Sequence, residues 1–219
     1  DEHGFLFRTD LRLRPGGATA PLVPNLVAVE HYYGGMGQTW ERLALIKARP
    51  VAGELALGAE LLENLQSFRY PRHPPPSLAA EIAAMKQRTE REVVGAGALE
   101  RDVKSGFGGI REIEFFTQAM QLLHAGRFPF LQTHSTIAAL DQLVRYGLIE
   151  GATSSFLQET YWLLRRIEHR VQMAHEQQTH EMPAAEDERA RLAHSLGFKH
   201  SSAFEDELRR AGCPRLLLV

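Results

Sequence analysis

Asp102-Val103-Lys104-Ser105-Gly106-Phe107-Gly108-Gly109-Ile110-Arg111-Glu112-Ile113-Glu114-Phe115 decides how this chain is read. Its first half is a glycine-rich loop. Its second half opens a run in which Ile110, Ile113, Phe116, Met120 and Leu123 recur at three- and four-residue steps. That spacing is one face of an α-helix, expected to run to about His124 with its apolar stripe in the core. Arg111, Glu114, Gln118 and Gln121 share the other face. A glycine-rich loop entering a helix N-terminus offers backbone N–H groups to an anion. No Gly-Lys-Ser/Thr follows, so it is not a Walker loop. A solvated face behind a helix cap reads the same residues equally well.

The helical period continues in both directions. Just before the loop it predicts a helix over 77–94, and towards the C-terminus helices over 135–146, 153–175, 184–196 and 202–210. The longest of these carries Leu157, Tyr161, Leu164, Ile167 and Val171 on one stripe. Towards the N-terminus it predicts helices over 26–33, 38–49 and 54–68. Trp40 is expected in the core of the second, with Lys47 and Arg49 free to steady a phosphorylated substrate. Pro71-Arg72-His73-Pro74-Pro75-Pro76 interrupts the series as an extended connector.

One segment has period two. In Phe5 to Arg14, residues Phe5, Phe7, Thr9, Leu11 and Leu13 alternate with Arg8, Asp10, Arg12 and Arg14. A strand over 5–13 would present an apolar face and a face with one carboxylate among three guanidiniums. Pro15-Gly16-Gly17 ends it. Asp10 could ligate Mg²⁺, with the arginines pairing with phosphate oxygens. An Asp–Arg ion-pair ladder explains the same pattern. The fold class is therefore mainly α, with one or two strands at the start and a helical bundle after them.

Composition is consistent with this and narrows the function. Of 219 residues, 44% are hydrophobic and 24% charged, ordinary for a globular chain. With 25 Lys and Arg against 27 Asp and Glu, the net charge of −2 gives no chain-wide grip on nucleic acid. A single cysteine, Cys213, excludes an internal disulfide and a cysteine-rich zinc site, and suits a reducing, cytoplasmic setting. No apolar run reaches the ~20 residues of a bilayer span. His175-Glu176-Gln177-Gln178-Thr179-His180 separates its histidines by five positions, not the four a zinc helix needs. Arg165, Arg166, His169 and Arg170 read as a solvated face.

Several stretches taken together resemble the glutamine synthetase adenylyltransferase family. They are Phe7 to Pro15, Trp40-Glu41-Arg42 with Ile46 to Arg49, Asp102 to Phe115, Leu163 to Gln172, and Gln177 to Pro183. The resemblance implies two similar halves, each a nucleotidyltransferase domain followed by a helical domain. The Arg111-Glu112-Ile113-Glu114 form and the region from Gln172 to Pro183 are closer to the adenylyl-removing half. On this reading residues 1–70 are the back part of a nucleotidyltransferase domain, 71–76 the connector, and 77–219 the helical domain. Asp10 matches the third of three carboxylates. The Gly-Ser turn and the other two would lie upstream, so the 219 residues are expected to be a piece without activity of its own.

The implied chemistry is transfer of AMP from ATP to a tyrosine of glutamine synthetase, or its removal by orthophosphate, with two Mg²⁺ ions in the complete site. Asp10 is the implied metal ligand. Arg12, Arg14, Lys47 and Arg49 are implied phosphate contacts, with Lys104, Arg111 and Glu114 at the domain junction. Implied partners are glutamine synthetase and the nitrogen-regulatory protein P-II, with neither nucleic acid nor membrane. Two other readings stand beside it. One is the P-II uridylyltransferase, which would be expected to carry a downstream His-Asp pair not found here. The other is a non-catalytic helical docking module.

Overall fold

The computed structural model describes residues 11, 13–94, 101–175 and 178–212. Among the described residues ten α-helices follow one another: α1 (Leu26–Gly35), α2 (Thr39–Ile46), α3 (Leu55–Asn64), α4 (Gln66–Arg69), α5 (Leu78–Val94), α6 (Ile110–His124), α7 (Thr136–Arg145), α8 (Gly151–His175), α9 (Glu186–Ser195) and α10 (Ser201–Gly212). The fold is mainly α. Among the described residues there is no strand, only an isolated antiparallel bridge between Asp102 and Glu181. None of the described helices is long and apolar enough to cross a membrane.

Local chemistry explains where the helices start. Asn25 Oδ1 accepts from Ala28 N at 2.8 Å and caps α1. Gln38 and Glu41 form a capping box at α2. Ser135 Oγ accepts from Ala138 N at 3.3 Å and caps α7. The expected 54–68 helix is two elements, broken at Leu65, which sits outside helical geometry with ψ near 6°.

Helix α6 is enclosed by α2, α5, α7 and α8. Leu43 and Ile46 of α2, Tyr70 at the end of α4, Leu78 and Ile82 of α5, Leu140 and Leu143 of α7, Leu157, Leu164, Ile167 and Val171 of α8, and Phe204 of α10 are buried in one core with Ile110, Ile113 and Leu122. A smaller cluster holds Val29, Tyr33, Leu65 and Phe68. Ile113, Leu157, Leu164 and Val171 are buried as the stripes predict. Phe116, Met120 and Leu123 are only partly buried at the core edge. The buried arc of α6 is rotated towards Thr117, Ala119, Gln121 and Leu122. Gln121 can lie inside because its amide donates to the carbonyls of Leu131 (2.6 Å) and Thr133 (2.7 Å).

One expectation about the N-terminal part changes. Trp40 is 43% exposed, because α2 turns Glu41, Leu43 and Ile46 inward instead. The strand over 5–13 lies almost wholly outside the described residues. Leu11 and Leu13, which belong to its apolar face, are exposed, and Leu13 sits in a bend.

Candidate functional site

The glycine-rich loop is folded by Asp102. Its Oδ1 accepts from the N–H groups of Lys104 and Ser105, both at 2.8 Å, and its carbonyl accepts from Gly106 N at 2.9 Å. A Cβ at Gly109 would lie 2.7 Å from Gly106 O and 2.8 Å from Lys104 O, so the loop closes tightly only with glycine there. Two further bonds fasten the loop to the segment after α8. Val103 N donates to His180 O at 3.0 Å, and Met182 N to Arg101 O at 2.9 Å. Lys104 and His180 are thereby brought side by side.

Free N–H groups at the start of α6, which would suit an anion, are not what this loop provides. Ile110 N donates to Val103 O and Arg111 N to Lys104 O, each at 3.0 Å. Gly108 N donates to Glu112 Oε2 at 2.7 Å. The tightness of the turn points these carbonyls back at the helix, and a carboxylate already occupies the helix end.

The charge is gathered one step away, between α6 and α8. Tyr161, Arg165 and Glu168 lie on one face of α8, at steps of four and three. Arg165 Nη2 meets Glu114 Oε1 at 2.8 Å, and Nη1 meets Glu168 Oε2 at 2.7 Å. Its Nε donates to the Tyr161 hydroxyl at 3.2 Å, and that hydroxyl donates to Glu114 Oε1 at 2.9 Å. Arg165 thus ties the two helices and is not a solvated cation. The expectation fails here because periodicity gives the face a residue occupies, not what lies opposite it. Arg166 reaches the Leu196 carbonyl at 2.6 Å, while His169 and Arg170 are exposed as expected.

Glu168 is only 3% exposed. Its Oε1 lies 3.6 Å from Lys104 Nζ and 3.0 Å from His180 Nδ1. The His180 approach is close enough for charge to matter, but it lacks the alignment of a hydrogen bond and Nδ1 is buried. Burial pushes the Glu168 carboxyl upward, yet Arg165, Lys104 and His180 together hold it below the usual range. His180 is lowered, first by burial and then by Lys104, against the pull of Glu168 and Asp102. Arg165 is raised: burial works against its charge, and Glu168, Tyr161 and Glu114 outweigh burial.

Lys47 approaches from α2. Its ammonium donates to His134 O at 3.0 Å and Thr136 Oγ1 at 2.7 Å. Burial lowers its pKa, Glu114 offsets this, and Arg165 adds to it, so Lys47 shares the field of the same cluster. The structure therefore brings Lys47, Lys104 and Glu114 to one region, joined by Tyr161, Arg165, Glu168 and His180. The last four escape sequence reasoning, although Arg165 and Glu168 stand at a pairing distance of three on the longest helix.

The other expected residues lie apart. Arg111 is exposed at the start of α6, and Arg49 is exposed beyond α2. Arg14 donates to the carbonyls of Leu11, Ala18 and Ala20, closing the turn around Gly16 and Gly17. Asp10 and Arg12 lie outside the described residues. Among the described residues no group of three or more His, Cys, Asp or Glu could hold a metal ion.

Two family models match successive parts of the chain. Residues 1–64 match the family model described as glutamate-ammonia ligase adenylyltransferase. Residues 77–212 match the model described as GlnD PII-uridylyltransferase. A bifunctional glutamine synthetase adenylyltransferase/adenylyl-removing enzyme of Mesorhizobium japonicum is 44% identical over 95% of this chain. Enzymes with the same name from Rhizobium meliloti and Pseudomonas syringae pv. tomato are each 43% identical over 94% of it. The chain spans 21% of the length of each of these relatives.

Proposed function

The chain belongs to the glutamine synthetase adenylyltransferase/adenylyl-removing enzyme family, and on that premise we propose that it serves nucleotidyl transfer at a tyrosine of glutamine synthetase, in the adenylyl-removing direction. In that direction orthophosphate attacks the adenylyl-tyrosine phosphorus, the bond from phosphorus to the tyrosine oxygen breaks, and the products are ADP and the free tyrosine hydroxyl. In the opposite direction the tyrosine hydroxyl attacks the α-phosphate of ATP and pyrophosphate leaves. The reaction belongs to the cytoplasm, where ATP and glutamine synthetase meet, and P-II is the proposed regulator.

The observation that carries this reading is the ion cluster that Lys104 and Glu114 form with α8, with Lys47 arriving from the segment that matches the adenylyltransferase model. Fixed cations stabilise charge on a transferring phosphoryl group. In this reading Lys47 and Lys104 face the phosphate. Arg12, Arg14, Arg49 and Arg111 are further phosphate contacts, and Glu114 orients Arg165. Asp10 is proposed as a Mg²⁺ ligand. The described residues supply no ligand set for that ion, so no step here runs through it. The match of 77–212 to a uridylyltransferase model supports the same class of transfer rather than a bare docking module.

The test is a chimera in which this segment replaces the aligned fifth of the Mesorhizobium japonicum enzyme. It should release AMP, as ADP, from adenylylated glutamine synthetase with orthophosphate. Lys104→Ala should lower that rate by about 10²-fold, as losing one preorganised charge contact does. An unchanged removal rate, or a loss confined to adenylylation, overturns the reading.

A further inference from the structure

The two oxygens of the Glu168 carboxylate do different things. Oε2 is committed to Arg165 at 2.7 Å, on a side chain that also holds Glu114 and Tyr161. Oε1 is shared. Lys104 Nζ stands 3.6 Å away, longer than a hydrogen bond, and His180 Nδ1 stands 3.0 Å away without alignment. A single buried oxygen with two unsettled donors is a contest that a proton can decide.

We propose that Glu168 Oε1 is a latch contested by Lys104 and His180, closed on Lys104 while His180 is neutral and handed to His180 when its ring is protonated. Protonation puts a hydrogen on both ring nitrogens, so Nδ1–H gains a charge-assisted bond to Oε1. It also sets a second cation beside Lys104, and the two repel. The Lys104 ammonium then leaves the carboxylate and becomes available to an oxyanion. His180 is faced by Asp102 and Lys104 from the glycine-rich loop and by Glu168 from α8. Of these, His180 alone has an ordinary pKa between 5 and 8. Its backbone is pinned beside the loop because its own carbonyl holds Val103 N. The burial and the Lys104 charge that lower its pKa are what protonation must overcome. The latch itself is a property of this geometry. Only its consequence, an anion-ready Lys104, rests on the function proposed above.

The experiment follows the 219-residue chain by nuclear magnetic resonance from about pH 8 to about pH 5, the range a histidine spans. The readouts are the His180 ring resonances and the order parameter of the Lys104 ε-methylene group. The Lys104 order parameter should fall along the His180 titration curve and stay level in His180→Asn, while exposed Lys199 is unaffected in both. His180→Gln is the second variant if Asn disturbs the pairing of 101–103 with 180–182. A Lys104 side chain whose order ignores His180, or loosens equally without it, overturns the latch. A second arm titrates sulfate, whose charge is constant over this range. Binding should be several-fold tighter at the acid end, and Lys104→Gln should abolish that difference. If Lys104 loosens but sulfate binds equally at both ends, the latch stands and the phosphate role given to Lys104 fails.

Discussion

Glu168 is one buried carboxylate serving three basic side chains, and that arrangement sets what its removal should do. Glu168→Gln keeps the volume and an acceptor oxygen but leaves Arg165 with Glu114 as its remaining anion, and Lys104 facing a neutral amide. Breaking a buried pair from one side costs ~3–5 kcal/mol. Arg165 keeps a partner, so the loss should be near ~3 kcal/mol, read by urea denaturation. Adding Arg165→Met should recover part of it, and strict additivity would show that the two side chains do not interact. His180 gives a pH signature. Its folded pKa is lowered below the ordinary 6.5, so the unfolded chain binds the proton more readily. This contribution to stability is fully present above about pH 6.5 and is lost as pH falls through the lowered value. His180→Asn should flatten the stability curve in that window. The lowered Glu168 carboxyl acts in a separate, more acid window, where its stabilisation is lost as pH falls below the ordinary carboxylate range.

At the scale of elements, α6 shows what a sequence can and cannot reveal. Its length, Ile110–His124, follows from the apolar spacing and from the glycines before it. Its exact buried arc does not, because Gln121 enters the core only through carbonyls at Leu131 and Thr133, ten and twelve residues on. The same limit hid Arg165: its partner Glu114 is fifty-one residues away. The rotated arc changes which truncation matters. Leu122→Ala, at a position with no exposure, should cost ~2–5 kcal/mol. Phe116→Ala, at the core edge, should cost less than Leu122→Ala. Equal losses in denaturant titration would restore the stripe read from spacing. The end of α6 is fixed by a close approach as well. A Cβ on Gly126 would meet Pro71 O within 2.3 Å, backbone against backbone. Gly126→Ala should therefore destabilise by ~1–3 kcal/mol, the range for overpacking, although an exposed helix end ordinarily tolerates alanine.

That contact belongs to a larger question, whether residues before and after the proline-rich segment behave as two units. The two family-model matches, 1–64 and 77–212, leave residues 65–76 between them. The packing crosses that interval. Leu43, Ile46 and Tyr70 are buried in the same core as Leu78, Ile110 and Leu122, while Val29, Tyr33, Leu65 and Phe68 keep a cluster of their own. Polar ties cross as well, from Lys47 to Thr136 and from Gln66 to Gln132. Neither tie pairs two charges, so mutation separates them from the apolar core where salt would not. If the core joins the parts, a chain cut at an inserted protease site after His73 should still elute as one species with or without Lys47→Met and Gln66→Leu. If the polar ties carry the join, the pieces should elute together in the unsubstituted chain and separate in the doubly substituted one. Separation in both would make the two segments independent, with Lys47 reaching the cluster only by tethering. Size-exclusion chromatography of the nicked chain distinguishes the three, and the expected result is a single peak in both, since Ile46 is fully buried and neither substitution exposes it.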